Sequence, residues 1–289
     1  MVFALPNINN LRGSVNKFAD GWPGCSYFDV FMSFLPVILL CVAVLALYVA
    51  LFGKRHRSQA VSLPPLYKEV LLKDVAFYRQ LNEQQRQDFE NRMVRFLAAT
   101  RIIGVGTDVT DADKVYISAS AIIPIFGLGD WEYTNLDEIL LYPDAFGHDF
   151  QQTGDERSVL GVIGEGALQR VMVLSQRALR HSFQNNTDRE HTAIHEFVHL
   201  IDKADGSTDG VPEFFLGREY IKPWLQLIHK EINRIRDNRS DINPYGITNE
   251  AEFFAVVSEY FFARPDLLEK KHPELYRLLV QAFHQNPNA

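Results

Sequence analysis

The stretch 187–206 constrains this chain more than any other, because it combines an apolar helix pattern with a polar group embedded in it. Thr187 followed three residues later by Glu190 predicts a capping box at the start of a helix, and Asp205-Gly206 predicts its end. Between these ends, apolar residues recur at helical spacing, which predicts a largely buried helix. They are Ile194, Phe197, Val198 and Ile201.

His195 and His199 lie one helical turn apart within this stretch, so their imidazoles project from the same side. Two imidazoles in this relation suit one zinc ion, each through one nitrogen. Glu196 is rotated away from the ligand line, where it reaches the open side of such a metal. This His-Glu-x-x-His arrangement is typical of zinc peptidases. The motif also occurs by chance, but an unpaired His-Glu-His group in a buried helix is costly to desolvate, which favours a metal site.

Three downstream glutamates are candidates for the third protein ligand that catalytic zinc needs. Glu250, Glu252 and Glu259 all lie on a helix predicted over 249–263. Glu250 and Glu252 are two residues apart and point to nearly opposite faces, so only one of them can be the ligand. Glu252 also has a structural interpretation, as the third-position partner of an Asn249 cap. Spacing alone does not choose among the three.

Two further polar residues of the same helix leave alternatives open. Asp202 lies one turn after His199 and either accepts a hydrogen bond from a ligand imidazole or another group of the site, or is a solvated residue at the helix end. His191 lies four residues before His195 and forms a rival metal pair with it. That pair lacks the intervening glutamate, so His195 with His199 is the favoured pair.

Composition excludes two classes of protein. The chain has 289 residues with a net charge of −7, and it contains no basic block outside one short cluster, which excludes a nucleic-acid-binding surface. Its two cysteines, Cys25 and Cys41, are too few for a disulfide framework, so nothing indicates an oxidising compartment.

Residues 31–53 are predicted to form one transmembrane helix, because 31–52 contains no charged residue and matches the about 20 residues that span a bilayer. A signal peptide fits less well, since roughly thirty residues precede the apolar run. The cluster Lys54-Arg55-His56-Arg57 follows directly. By the positive-inside rule it predicts a single-pass protein of the inner (cytoplasmic) membrane, with the short segment 1–30 outside and the rest in the cytoplasm. Residues 54–65 are the basic flank and linker.

Residues 66–289 are predicted to form one domain with many helices and few strands. Helices are predicted over 66–81, 82–99, 110–126, 177–183, 223–239, 249–263 and 272–284, in addition to the histidine-bearing helix. Strands are predicted over 102–105, 138–142 and 170–174.

Two blocks of this domain resemble the zinc-peptidase family of Mlc titration factor A. The first is 194–202, with the sequence IHEFVHLID, and the second is 245–262, with the sequence YGITNEAEFFAVVSEYFF. The second block is also similar to the zinc site of anthrax lethal factor, a more distant relative. The resemblance covers roughly residues 66–285. The membrane segment departs from it, since the best-known member of the family is soluble.

The resemblance implies that His195, His199 and Glu252 bind Zn²⁺, that Glu196 is the general base and that Tyr245 is catalytic. From the sequence alone, a tyrosine in Pro-Tyr-Gly is more often a turn residue. The implied fold is an α+β, zincin-like metallopeptidase domain, mostly helical with a small sheet, acting on a peptide or protein substrate. Zincins hold substrate as an added strand along a sheet edge, and 170–174 is the candidate edge strand.

The resemblance also implies an alternative function. The family is named for binding a transcriptional repressor of sugar uptake, so the second candidate is a regulatory protein that sequesters a cytoplasmic partner. A metal-stabilised interaction domain without activity is a third. Glu196 favours the enzyme, because a purely structural zinc site needs no general base and usually has four protein ligands.

Overall fold

Helices form most of the described part of this protein. The computed structural model describes residues 62–147, 150–152, 158–164, 166, 169–185, 188–213 and 215–288, within a compact unit that runs from Val61 to Ala289. The predicted membrane segment 31–53 lies outside the described residues, as do the segments around it up to residue 61. None of the helices in the described ranges combines the length and the hydropathy needed to cross a bilayer.

The described part opens with three helices. They are α1 (Pro65–Asp74), α2 (Ala76–Gln80) and α3 (Glu83–Ala99). The single helix predicted over 66–81 is interrupted at Val75, whose extended backbone separates α1 from α2. The prediction of Asn82 as the N-cap of α3 is confirmed: its side chain accepts the N–H of Gln85, and the Gln85 side chain accepts the N–H of Asn82.

The next helix, α4 (Asp111–Ile125), lies at the centre of the core, and most of its residues are buried. It begins with a capping box between Thr110 and Asp113. Asp113 is fully buried and pairs with Arg180 of α5 (Gln176–Gln184) at 2.8 Å. Burial opposes the charge of Asp113, but hydrogen bonds from Arg180 and Thr110 hold its pKa below the usual value. This ion pair fixes α5 against α4.

A four-stranded sheet packs beside these helices. Its strands are β1 (Arg101–Gly104), β2 (Glu138–Tyr142), β3 (Gly161–Ile163) and β4 (Val171–Ser175), in the order β1-β2-β4-β3. The first three in that order are parallel, and β3 runs antiparallel to β4. Three predicted strands are thereby confirmed, but the prediction that 170–174 forms the edge is wrong. The near-continuous apolar sequence of β4 belongs to a strand covered on both sides, and the edge is β3.

The histidine-bearing helix, α6 (Thr192–Asp202), contacts α4, α5, β3 and β4. It begins four residues later than predicted, with His191 and not Thr187 as the N-cap, and Thr187 lies outside the described residues. A 3₁₀ turn (Lys203–Asp205) follows, and Gly206 ends it with a φ of 99°. The remaining helices are α7 (Arg218–Arg236), α8 (Glu250–Ala263), α9 (Pro265–Lys271) and α10 (Pro273–Phe283). Helix α8 packs along α6, so two segments distant in sequence face each other.

Candidate metal centre

Two histidines of α6 and one glutamate of α8 converge in a cleft of about 1250 Å³. The Nε2 atom of His195 lies 3.1 Å from Nε2 of His199 and 2.9 Å from Oε2 of Glu252. The Nε2 atom of His199 lies 3.4 Å from the same oxygen. Atoms held 2.0–2.2 Å from one ion at tetrahedral angles are about 3.3–3.5 Å apart, so the three donors need move apart by only a few tenths of an ångström to hold a single metal ion. In the described part of the chain, this is the group of side chains arranged to hold one.

The centre carries excess negative charge. Among the described residues, Glu196, Glu252 and Glu259 form no ion pair with lysine or arginine. Burial opposes a charge on His195, but Glu259 and Glu252 outweigh it and hold its pKa well above the usual range. Burial likewise opposes the charge of Glu252, yet hydrogen bonds with His195 and His199 lower its pKa to about 2. A bound cation would balance these carboxylates and compete with the proton on His195.

Glu259 holds His195 from the side away from the cluster. Its Oε1 atom lies 2.6 Å from Nδ1 of His195, and its Oε2 atom accepts the backbone N–H of His191 at 2.5 Å. A carboxylate at this position accepts a hydrogen bond from Nδ1–H, which leaves the lone pair of Nε2 available to bind a metal. Glu259 therefore orients His195 and lies outside the three-residue cluster. The sequence signal was its position seven residues after Glu252, two helical turns along the same face.

The start of α8 determines which of the three glutamates lies beside the histidines, and that residue is Glu252. Glu252 lies in the first turn, and its backbone N–H donates to Asn249 Oδ1 at 2.8 Å. The cap uses the backbone of Glu252 and leaves its carboxylate beside the histidines, so the confirmed cap does not compete with a role as ligand. Glu250 points elsewhere, with Oε1 3.7 Å from Nε2 of His229.

Glu196 follows His195 and lies at the wall of the cleft formed by β3. Its side chain is buried, and Gly161 of β3 lies against its carboxylate. Burial raises the pKa of Glu196, while His195 and His199 oppose that rise. A carboxylate with a raised pKa is a better proton acceptor than an ordinary one.

Tyr245 lies at the opening of the cleft on a short 3₁₀ helix (Pro244–Ile247), with 55% of its surface exposed. Its ring centroid is 6.0 Å from that of His195. Burial raises its pKa, as do the charges of Glu252 and Glu196, so the hydroxyl keeps its proton. Asn243 accepts the backbone N–H of Tyr245 at 2.9 Å and donates to Glu190 at 2.6 Å. These bonds tie the tyrosine turn to the segment before α6.

Asp202 has a different role from either one predicted. It is fully buried, which excludes a solvated helix end, and its Oδ2 atom accepts the N–H of Gly210 at 2.9 Å. The carboxylate that pairs with the imidazole of His195 is that of Glu259. Gly210 also accepts the indole N–H of Trp224 at 2.7 Å, and a Cβ on it would lie 2.2 Å from the carbonyl oxygen of Glu250. Gly210, with a φ of 74°, is thus in contact with residues of α6, α7 and α8.

His191 is not part of the metal cluster. Its ring packs edge-on against Phe183, with 4.7 Å between centroids, and its Nδ1 atom accepts the N–H of Ile194 at 3.4 Å. Burial lowers the pKa of His191 to about 4, so the ring is a neutral cap of α6. The rival pair of His191 with His195 is therefore excluded.

The α+β fold and the His-His-Glu cluster define a metallopeptidase-like domain. A family profile described as "Glucose-regulated metallo-peptidase M90" matches residues 52–284, and the chain belongs to that family. The predicted resemblance to Mlc titration factor A is confirmed by relatives of that name. One from Pectobacterium atrosepticum is 26% identical over 249 residues, covering 81% of this chain and 87% of its own length. One from Escherichia coli is 27% identical over 224 residues, covering 72% and 82%.

A third relative matches over a greater length. An uncharacterised protein from Synechocystis sp. is 30% identical over 275 residues, which covers 88% of this chain and 98% of its own length.

Proposed function

We propose that this protein is a zinc metallopeptidase of zincin type that hydrolyses peptide bonds with Glu196 as the general base. The observation that carries the proposal is the convergence of His195, His199 and Glu252 beside a buried glutamate in an open cleft. Two histidines and one glutamate are a donor set used by catalytic zinc, and three protein ligands leave the fourth position open. A structural site usually closes that position with a fourth protein ligand, which favours the enzyme over a metal-stabilised interaction domain.

A zinc ion held by these three residues would supply Lewis acidity, which would lower the pKa of water from about 15.7 towards 7 and polarise a carbonyl. Glu196 accepts the proton of the attacking water and then delivers it to the leaving amine. The hydroxyl of Tyr245 donates to the substrate oxygen on which negative charge develops. Glu259 keeps the His195 ring oriented throughout.

The edge of the sheet supports a site for an extended peptide. Leu160 accepts the N–H of Ser175, and Gly164 donates to Val171, so these residues of the edge turn inward to β4. In an antiparallel ladder the inward groups alternate with outward ones. The backbone groups of Gly161 and Ile163 therefore point to the unpaired side, and both residues line the cleft. We expect substrate to pair there as an added strand.

The first test joins metal analysis with cleavage of a peptide library by the purified chain. We expect bound zinc in the wild type and in Glu196→Gln, because Glu196 is not a ligand. Cleavage by the variant should fall by about 10²–10⁴-fold, the contribution typical of positioned proton transfer. Glu250→Gln is the matched control, since Glu250 lines the same cleft outside the cluster. Normal cleavage by Glu196→Gln would refute the peptidase proposal.

The second candidate function is sequestration of a cytoplasmic partner such as a transcriptional repressor. The observation that favours it is the name Mlc titration factor A of the relatives from Pectobacterium and Escherichia coli. A wild-type protein that binds a repressor of its host stoichiometrically and cleaves no peptide would establish this function. Retention of repressor binding by Glu196→Gln would show that binding and hydrolysis are separate.

We also propose that residues 31–53 anchor the domain in the inner (cytoplasmic) membrane with the cleft on the cytoplasmic side. Support comes from the uncharged length of this segment and the basic cluster that follows it. Reporter enzymes fused after Ala289 test it. A reporter that works only in the cytoplasm is expected, and one that works only outside the cytoplasm would overturn the proposed orientation.

A further inference from the structure

Gly161 and Glu196 are in unusually close contact. A Cβ atom on Gly161 would lie 2.6 Å from Oε1, 2.7 Å from Cγ and 2.9 Å from Cδ of Glu196. Cβ atoms in proteins essentially never come within 3.0 Å of a heavy atom outside their own residue and its chain neighbours. The space that the Glu196 carboxylate occupies therefore exists because residue 161 has no side chain.

The backbone does not require glycine at this position. Gly161 is the first residue of β3 and pairs with Leu174 of β4 in a regular antiparallel register. Its φ lies outside the left-handed region that favours glycine, in contrast to the φ of 74° at Gly210. The requirement at Gly161 is one of space.

We propose that Gly161 is a positioning residue for the general base, whose missing side chain lets β3 hold the Glu196 carboxylate in one place. The inference rests on the proposed peptidase function. With alanine at 161, the carboxylate must retreat, because the contact of 2.6 Å lies below 3.0 Å and ordinary contact distances begin at 3.4 Å. The fold tolerates this because the displaced atoms all belong to one side chain and none to the backbone. Catalysis does not, since a misplacement of about 1 Å costs on the order of 10²-fold in rate.

The chain offers a matched control. Gly217 lies at the N-cap of α7, and a Cβ on it would lie 2.9 Å from both carboxylate oxygens of Glu219. Its contact is of the same kind, but both residues are exposed and neither lines the cleft. Gly217→Ala therefore introduces a comparable methyl group outside the cleft.

The decisive experiment is a double-mutant cycle on the thermal stability of the metal-free full chain, which does not depend on activity. In EDTA, Gly161→Ala should lower Tm by about 2–4 °C or more when Glu196 is present. In the Glu196→Ala background the same substitution should cost less than about 1 °C, because the atoms it would meet are gone. An equal loss of Tm in both backgrounds would overturn the inference.

The activity arm uses the zinc-loaded protein. We expect Gly161→Ala to keep full zinc content and a KM within about twofold of wild type, while kcat falls on the order of 10²-fold. In the Glu196→Gln background, Gly161→Ala should cause no further loss, and Gly217→Ala should cause none in either background. A kcat of Gly161→Ala within about threefold of wild type would contradict the inference. A wild type that binds no zinc and cleaves nothing would instead refute the proposed function, and the Tm cycle would still decide the contact.

Discussion

Two histidines of this protein are held between two carboxylates each, and they differ in what surrounds those carboxylates. His195 lies between Glu252 and Glu259, at 2.9 and 2.6 Å. His272 lies between Glu231 and Asp241, at 3.1 and 2.8 Å. Both histidines are buried, with 9% and 4% of their surface exposed. The pKa of each lies above the usual value because its carboxylates outweigh the effect of burial.

The carboxylates around His272 are neutralised by nearby cations. Glu231 pairs with Arg234 at 2.8 Å, while Asp241 pairs with Lys271 at 2.7 Å and with Arg189 at 2.8 Å. Those around His195 have no such partner in the described part of the chain, and a second histidine stands 3.1 Å away. The comparison indicates that a histidine between two carboxylates has a structural role where lysine and arginine side chains neutralise those carboxylates. Where such cations are missing, the same arrangement fits a metal ion.

The largest effect is expected from removing a ligand. Glu252→Ala takes one of three donors away, so zinc affinity should fall by more than about 10²-fold and activity should disappear with it. Glu250→Ala is the control on the same helical turn and should keep zinc. Metal titration of the two variants measures this. If Glu250→Ala lost zinc and Glu252→Ala kept it, the assignment of the third ligand would be wrong.

The next effect concerns the donor at the opening of the cleft. Tyr245→Phe removes a hydroxyl and leaves the ring and the metal ligands unchanged. We expect kcat to fall about 10²-fold, as for one missing donor to a developing oxyanion, with zinc content unchanged. Steady-state kinetics with metal analysis tests this. An unchanged kcat would show that Tyr245 is a turn residue without a part in catalysis.

A smaller effect separates the two histidine clusters directly. Glu259→Gln should weaken zinc binding by about 10–100-fold, because the support of His195 is lost while all ligands remain. Glu231→Gln makes the equivalent change at His272 and should lower Tm without altering zinc affinity. Competition with a chelator and thermal unfolding measure the two quantities. Equal zinc affinities in both variants would remove the functional distinction between the clusters.

The smallest effect is the pH dependence of stability at His272. Its pKa is raised on folding, so its contribution is complete below about pH 6.5 and is lost as pH rises through the folded pKa. The pKa values of Asp241 and Glu231 are lowered on folding, so the contribution of these two residues to stability is complete above about pH 4.5 and is lost as pH falls. The cluster should therefore stabilise the metal-free protein most between about pH 4.5 and 6.5. His272→Gln should flatten the decline of Tm above that window, and a parallel decline would contradict this account.

Local patterns predicted the parts of this structure that depend on neighbours in sequence. The caps at Asn82 and Thr110 and the pair His195/His199 need only the spacing of a helix, and the structure has them. The predicted start of α6 is too early, because a capping-box pattern from Thr187 competes with the His191 cap that tertiary packing selects.

The features that local patterns did not predict depend on contacts between segments distant in sequence. Strand β3 has three residues, too few for an alternating pattern to reveal it. The sequence therefore predicts that the longer apolar strand β4 forms the edge of the sheet. The support of His195 by Glu259 requires that α8 pack along α6, and the place of Gly161 requires that β3 lie beside Glu196. The choice of Glu252 over Glu250 came from resemblance to a family, since spacing left it open.

Gly210 has a consequence for how the length of this chain can vary. Its N–H is bonded to Asp202, so the loop between them leaves α6 and returns to it with both ends fixed at one place. The residues 204–209 inside that loop are exposed, and closing a longer loop adds little entropic cost. Insertions between Ala204 and Ser207 should therefore be tolerated by the fold, whereas Thr208 and Asp209 line the cleft and should be left unchanged.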